Sequence, residues 1–350
     1  MLPPTAVPDR EFAVEPAPAG PRRRRVWPYL FGGMAVAVAV AVGWLASTWT
    51  IADTQYFHDS YVAWTDPPPD DVVAIAAATG MSVEGELVYR ASRPAVEDDE
   101  TFNDHCALEG GAVLGCYFDG QIYVYAVTDD RLAGTVEVTA AHEMLHAAYE
   151  RLPSLERERV DALVAEAVAA LDQQDAVFAA LELYPEEQRA DEWHSRLGVQ
   201  FAELSAELEQ HYSRYFDDRG KVLALHVQAN ALFVELQARI EALVVEVETT
   251  RPVLEARLAA YEAAIATFNA DVADFNTRAQ NGSFASQEQF DRERARLMAR
   301  SEALDAERLA VDAEVARYND LVDELTALDA DYADLYSALD SSDDTDAVSP

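Results

Sequence analysis

Two histidines and a glutamate stand at a spacing that can support metal chemistry. The sequence Val138-Thr-Ala-Ala-His-Glu-Met-Leu-His-Ala-Ala-Tyr149 contains the pattern His-Glu-x-x-His. On a helix, His142 and His146 lie on one face one turn apart, so both imidazoles can bind one tetrahedral cation. Glu143, next to the first histidine, can accept a proton from the attacking water and return it to a leaving amine. The alternative is a pair of core-facing histidines on an amphipathic helix.

This segment resembles the zincin metallopeptidases, and among them the gluzincins, whose third metal ligand is a glutamate on a later helix. The resemblance is strong over residues 142–146, and from Leu87 to Phe216 it extends only to the order of the elements. The metzincin extension is absent, because residues 150–154 supply neither the glycine nor the third histidine of that pattern. The resemblance implies a catalytic domain that binds Zn²⁺ and hydrolyses peptide bonds.

A third ligand must come from farther along the chain, and the richest stretch is Ala190-Asp-Glu-Trp-His-Ser-Arg-Leu-Gly198. Glu192 resembles the gluzincin glutamate in type and order, and the resemblance then makes His194 a catalytic residue that stabilises the oxyanion of a tetrahedral intermediate. Residues two apart on a helix point about 200° away from each other, so these two cannot easily bind one ion together. His194 and Glu203 remain alternative ligands, and Glu192 could instead be a solvated charge.

The strand predicted at Gln121–Val127 is a candidate for substrate binding. In zincins an edge strand above the active-site helix pairs antiparallel with an extended substrate, and Tyr123 and Val124 resemble that element by position. Main-chain pairing of this kind would bind a peptide with little side-chain selectivity. The alternative is an ordinary strand whose tyrosines pack in a core.

The elements that must position these residues run from strands to helices. Leu87–Ser92 and Gln121–Val127 are rich in β-branched and aromatic residues between turn-forming residues, which predicts two strands of a small sheet. Helices are predicted at Asp70–Thr79, Thr139–Arg151, Ser154–Leu171, Ala176–Leu183, Pro185–Leu197 and Leu204–Phe216. This order predicts an α+β fold for the zincin-like domain, residues 52–219.

The C-terminal third of the chain is a heptad array. Apolar residues follow alternating steps of three and four from Ile240 to Phe275, and every seventh residue from Phe290 to Leu339 is apolar or aromatic. A turn at 281–285 separates the two runs. We predict an antiparallel coiled-coil hairpin over residues 220–340, with Pro252 kinking or interrupting its first arm. The hairpin is also a candidate surface for a protein partner or for self-association.

The N-terminal segment has the composition of a membrane anchor. Residues 26–52 contain no charged side chain, and four arginines at 22–25 precede them. About 20 apolar residues cross a hydrocarbon layer of roughly 30 Å, and positive charge marks the cytoplasmic side. We predict a disordered cytoplasmic segment at 1–28, a transmembrane helix at 29–51 and a catalytic domain outside the cell membrane. A cleaved signal peptide is the alternative, although its apolar region is normally only about 7 to 15 residues.

Two cysteines, Cys106 and Cys116, both follow the predicted anchor. Outside the membrane, in an oxidising compartment, they can close a short loop, so we predict a disulfide. The alternative is two unrelated buried thiols.

The chain is strongly acidic. Its 350 residues include 64 Asp or Glu against 26 Lys or Arg, which gives a formal net charge of −38. Nucleic acid or anionic lipid would be repelled over most of this surface, which argues against a nucleic-acid partner. The polar, acidic tail at 341–350 predicts disorder. The sequence thus predicts a membrane-anchored zinc peptidase acting on peptides or proteins; the alternative is a non-catalytic envelope scaffold that acts through its coiled coil.

Overall fold

The part of the chain that the structure describes is mostly helical and contains one small three-stranded sheet. The computed structural model describes residues 51–106, 113–171, 176–181 and 184–341. Its helices are α1 (Ile51–Thr65), α2 (Asp70–Thr79), α3 (Val83–Ala91), α4 (Asp99–His105), α5 (Thr135–Glu150), α6 (Ser154–Ala170), α7 (Ala176–Leu181), α8 (Arg189–Gln200), α9 (Ala206–Tyr212), α10 (Arg219–Asn281) and α11 (Gln287–Leu339). Its strands are β1 (Ala95–Glu97), β2 (Gly115–Phe118) and β3 (Gln121–Tyr125), and short 3₁₀ turns lie at Asp130–Leu132 and Glu186–Gln188. This order confirms the α+β class, with helices before the sheet as well as after it.

The strand predicted at Leu87–Ser92 is wrong, because this stretch lies mostly in helix α3. The hydroxyl of Ser82 caps the helix by accepting a hydrogen bond from the amide of Gly85 at 3.1 Å. Val88 and Tyr89, which suggested a strand, are instead buried on the helix. Strand preference depends mainly on the surface against which a side chain packs, so tertiary packing can override it.

The sheet has the order β1-β3-β2, so β3 is its central strand. β3 runs parallel to β1 and antiparallel to β2. Because successive side chains on a strand point to opposite faces, Ile122 and Val124 are both fully buried while their neighbours are only partly covered. The buried face packs on helix α5.

Helix α5 lies at the centre of the core, between the sheet and helix α8. Its buried residues include Ala140, Ala141, Met144 and Leu145, none of which has exposed surface. Small alanines let neighbouring elements approach the helix axis closely. The helix begins at Thr135, one turn before the Thr139 start predicted from the sequence.

The hairpin helices α10 and α11 pack antiparallel. Arg239 and Arg257 on α10 pair with Glu324 and Glu307 on α11, at 3.0 and 2.9 Å from Nε to Oε1. Between these two pairs the residue number increases along α10 and decreases along α11, so the two helices run antiparallel. Every seventh residue from Phe290 to Leu339 is buried or half-buried, so the predicted heptad seam is confirmed.

Pro252 does not interrupt the first arm, because α10 continues through it from Arg219 to Asn281. The proline is exposed, while Leu254 beside it is buried. Proline removes one backbone hydrogen bond from the helix. Packing of the two arms along their length outweighs that local loss.

The predictions for the chain ends are only partly within the described residues. Residues 1–28 and the predicted transmembrane helix at 29–51 lie outside them, apart from Ile51. In the ranges that the structure describes, no helix combines the length and the apolar character that crossing a membrane requires. At the other end, Ser341 is ordered rather than part of a disordered tail, because its hydroxyl donates to the carbonyl of Val113 at 3.3 Å. Residues 342–350 lie outside the described part.

Candidate metal centre

Helix α5 presents both histidines of the motif on one face. The Nε2 atoms of His142 and His146 lie 3.1 Å apart. Both side chains keep about 15% of their surface exposed and line a cavity of about 580 Å³. The two rings therefore face a cavity that opens to solvent, and they are not packed in a dry core.

Glu192 on helix α8 joins the two histidines. Its Oε2 atom lies 3.3 Å from Nε2 of His146 and 3.6 Å from Nε2 of His142. Donors held about 2.0–2.1 Å from a tetrahedral ion lie roughly 3.3 Å from one another, so these spacings suit one small cation. His142, His146 and Glu192 thus form a group that could hold a metal ion.

The two other candidate ligands lie elsewhere. Glu203 is exposed in the loop between α8 and α9 and does not line the cavity. His194 is fully buried, and its Nε2 lies 2.9 Å from Nε2 of His211. Burial also lowers the pKa of His194 well below its usual range, and the neighbouring His211 lowers it further. The geometry thus separates His194 from the cavity, because its position two residues after Glu192 turns it to the opposite face of α8.

Close packing of α5 and α8 brings the three candidate ligands together. Gly198 on α8 lies against Leu145 on α5, and a Cβ atom at Gly198 would stand only 2.3 Å from Cδ1 of that leucine. A glycine at this position lets the helices approach. As a result, Glu192 faces the histidine pair across the gap between the helices.

Two neighbours that the sequence did not single out orient the ligands. Nδ1 of His146 lies 2.9 Å from Oδ1 of Asp191, so the ring can donate there while Nε2 faces the centre. Arg196 donates from Nε to Oε1 of Glu192 at 2.6 Å, which leaves Oε2 for the histidines. The spacing of Arg196 four residues after Glu192 on one helix was the signal available in the sequence. The contact of Asp191 depends on the crossing of two helices.

The electrostatics of the cluster favour a positive charge at its centre. Burial alone lowers the pKa of His146, but hydrogen bonds to Asp191 and Glu192 outweigh burial and raise it well above its usual range. Burial also raises the pKa of Glu192, yet hydrogen bonds from His142 and His146 lower it overall. An ionised carboxylate is the form that binds a cation.

Glu143 lies beside the ligands in a nearly dry position. Its side chain lines the cavity although the residue is only 4% exposed, and burial raises the pKa of its carboxyl. Strand β2 passes close to it at Gly115, where a Cβ atom would lie 2.6 Å from Cγ2 of Thr139 and 2.9 Å from Oε1 of Glu143. Only a residue without a side chain allows this approach.

The prediction that the strand with Tyr123 and Val124 pairs with a substrate is wrong. Tyr123 and Val124 lie in the central strand β3 and are paired with β1 on one side and with β2 on the other. No edge of β3 is therefore free for a substrate at these positions. The strand that lines the cavity is β2, with Gly115, Cys116 and Tyr117. Among the described residues β2 is paired only with β3, so it is an edge strand that lines the same cavity as the candidate ligands.

A disulfide joins strand β2 to another part of the chain. Cys116 in β2 forms a disulfide with Cys106, which follows helix α4, and their Cα atoms are 6.0 Å apart. The predicted pairing is thus present in the structure. It links the cavity-lining strand covalently to a neighbouring helix.

Tyr184 is a cavity residue that no sequence pattern indicated. It lies just before the 3₁₀ turn at Glu186–Gln188 and lines the cavity with Glu192 and Arg196. Burial and the nearby Glu192 raise the pKa of its phenol. The hydroxyl therefore stays protonated at neutral pH and able to donate a hydrogen bond.

Comparison of the chain with protein families, with curated protein sequences and with solved structures finds no match. A function must therefore be argued from the residues of the cavity and their geometry.

Removal of the Asp191 carboxylate is expected to weaken binding of a metal ion at this group by roughly 10- to 100-fold, because outer partners of this kind fix the tautomer and orientation of a ligating histidine. The variant Asp191→Ala would be compared with wild type by competition against a chelator of known affinity. Glu187→Ala is the matched control, because Glu187 is an exposed acid on the adjacent turn. Equal affinities for both variants would contradict the orienting role.

Proposed function

We propose that this protein is a zinc-dependent peptidase. The observation that carries the proposal is the convergence of His142, His146 and Glu192 beside the buried carboxyl of Glu143, all on the wall of one open cavity. Two imidazoles and one carboxylate are a ligand set that zinc uses in catalytic sites, where a fourth position stays open.

The residues around the centre have distinct roles in this proposal. Bound zinc would polarise the substrate carbonyl and lower the pKa of the attacking water. Glu143 accepts the proton of that water and later donates it to the leaving amine. The buried position of Glu143 on the cavity wall, next in sequence to His142, suits this double role.

We assign stabilisation of the developing oxyanion to Tyr184 instead of His194. Its phenol lines the cavity with the ligands, whereas His194 contacts His211 behind them. A positioned hydrogen-bond donor stabilises charge that appears only in the transition state.

An extended peptide would pair with the outer edge of β2. This strand passes Glu143 at Gly115 and is held by the disulfide at Cys116. Main-chain pairing selects an extended backbone more than particular side chains, so unfolded polypeptides are the substrate class that fits.

The location outside the cytoplasmic membrane is part of the proposal. Four arginines at 22–25 before an uncharged stretch at 26–52 support an N-terminal anchor with its start in the cytoplasm. The disulfide between Cys106 and Cys116 supports an oxidising compartment for the rest of the chain.

Zinc content and zinc dependence test this proposal. The purified full-length protein is expected to contain one zinc per chain and to cleave an unfolded protein such as reduced, alkylated casein. A chelator should abolish cleavage, and added zinc should restore it. A protein without stoichiometric zinc and without hydrolysis would favour the rival function, a scaffold acting through the hairpin α10–α11.

A further inference from the structure

Helix α1 exposes a row of aromatic side chains. Phe57, Tyr61 and Trp64 are 57%, 63% and 78% exposed, and Tyr56 beside them is 59% exposed. Steps of four and three residues place the first three on one face of the helix. Exposed rings this close together mark a contact surface more often than an ordinary protein surface.

The opposite face of α1 is packed onto the protein, so the exposure does not come from a detached helix. Val62 and Asp59 are 6% and 3% exposed. The Asp59 carboxylate accepts two hydrogen bonds from Arg151, at 3.1 Å from Nε and 3.2 Å from the second terminal nitrogen. Between Gln55 and Thr65 the sequence contains one acidic residue, Asp59, and no lysine or arginine. The exposed surface over this range therefore carries no acidic or Lys/Arg side chain, and its exposed residues besides the aromatic rings include His58 and Thr65.

We propose that this aromatic face of α1 lies in the headgroup layer of the membrane. The inference depends on the anchor in the proposed function, because Trp64 follows the end of the uncharged stretch at Ala52 by 12 residues. Tyrosine and tryptophan favour the headgroup level, where an apolar ring body and a polar tip are both solvated. A short helix with one apolar face binds there in the plane of the surface.

The size of the surface favours lipid over a second copy of the chain. Four aromatic side chains with about 60% of their surface exposed present roughly 500 Å² together. A stable protein interface needs about 800 Å² from each partner. Lipid headgroups need no matching surface, so a patch of this size is sufficient for a helix that a nearby anchor already holds at the membrane.

The contacts of Arg151 connect the aromatic face to the metal centre. Arg151 follows the last residue of α5, the helix that carries both histidines, and bonds the carbonyl of Ala147 at 2.8 Å. The same guanidinium contacts the Tyr117 hydroxyl on β2 at 3.3 Å as well as Asp59 on α1. Docking of α1 would therefore fix the orientation of the cavity relative to the membrane. Polypeptide segments at the membrane surface are then the substrates within reach.

Fluorine spectroscopy of the full-length protein in phosphatidylcholine nanodiscs tests this docking. The chain contains five tryptophans, at 27, 44, 49, 64 and 193, which can all be replaced by 5-fluorotryptophan. Loss of one resonance in each single Trp→Phe variant assigns the signals. A lipid with a gadolinium chelate on its headgroup should broaden the Trp64 signal beyond detection, because paramagnetic broadening acts only on nuclei close to the chelate.

The same spectra separate failure of docking from failure of the anchor. Trp44 and Trp49 lie in the predicted anchor region, so their broadening reports insertion independently of α1. If they broaden while Trp64 persists and responds instead to a water-soluble gadolinium chelate, the docking is refuted and the anchor stands. If Trp64 is protected from both agents and the protein is a dimer in the nanodisc, a second copy covers the face and the proposal also fails.

A substitution on the aromatic face provides a second readout. Tyr61→Gln should weaken the broadening of the Trp64 signal by the headgroup chelate, because it replaces an exposed ring by an exposed amide. Tyr336→Gln is the matched control, since Tyr336 is 51% exposed on the hairpin helix α11. The proposal that this face contacts the headgroups would be contradicted if the Trp64 signal recovered in Tyr336→Gln. It would also be contradicted if the signal showed no recovery in Tyr61→Gln.

Discussion

The variant Glu143→Gln is expected to lose peptide hydrolysis, with kcat/KM lowered roughly 10²- to 10⁴-fold, which is the range for removal of a general base. Glutamine fills almost the same space but cannot hold the proton of the attacking water. Glu143 lies beside the two histidines without being one of the three residues that converge on the cation position. Zinc content should therefore remain at one per chain, as measured by atomic absorption on the same sample that is assayed.

The matched control for this variant is Glu137→Gln, six residues earlier on the same helix. Glu137 does not line the cavity, so activity and zinc content should both stay near wild type. Hydrolysis retained in Glu143→Gln would remove the assigned base. Loss of zinc in that variant would instead show that Glu143 binds the metal.

Loss of the third ligand should have the other large effect. Glu192→Gln replaces a charged oxygen 3.3 Å and 3.6 Å from the two histidine nitrogens by a neutral amide. Two neutral imidazoles cannot offset the charge of Zn²⁺ as this carboxylate does. We expect zinc affinity to fall by more than the roughly 10²-fold that loss of an outer hydrogen-bond partner costs, and activity to disappear with it.

Two comparison variants test whether Glu192 or another residue is the third ligand. Glu203→Gln changes an exposed acid outside the cavity and should retain zinc. His194→Gln changes a fully buried ring that contacts His211, so its effect should be on the midpoint of thermal unfolding rather than on zinc stoichiometry. Full zinc content in Glu192→Gln together with its loss in either comparison variant would move the third ligand to that residue.

The features that the sequence predicted correctly depend on short stretches of chain. The spacing of His142 and His146 needs only one turn of helix to place both rings on one face. The seam of the hairpin follows from a seven-residue repeat over each arm. The pairing of Cys106 with Cys116 needs only a short loop that closes. Each of these patterns has its geometry in a single element or in neighbouring residues.

The errors concern features that depend on what an element packs against. Val88 and Tyr89 have strand-like chemistry, yet burial against the core as part of helix α3 suits them equally well. Tyr123 and Val124 do lie in a strand, but the sequence does not show that β1 and β2 occupy both of its edges. A strand sequence with alternating inward and outward side chains has the same pattern whether the strand lies at the edge of a sheet or at its centre.

By itself, the sequence of this protein determined the turn of helix that presents the two histidines, the candidate base at Glu143 and the long hairpin. Only the tertiary structure chose Glu192 over Glu203 and His194, turned His194 away from the cavity and made β2 the strand beside the metal centre. It also added Asp191, Arg196 and Tyr184 to the site. The physical reason is that periodicity fixes which side chains share a face of one element, whereas a ligand set needs atoms from two helices and a strand within a few ångströms. That approach is set by packing between elements, as at Gly198 against Leu145 and at Gly115 against Glu143.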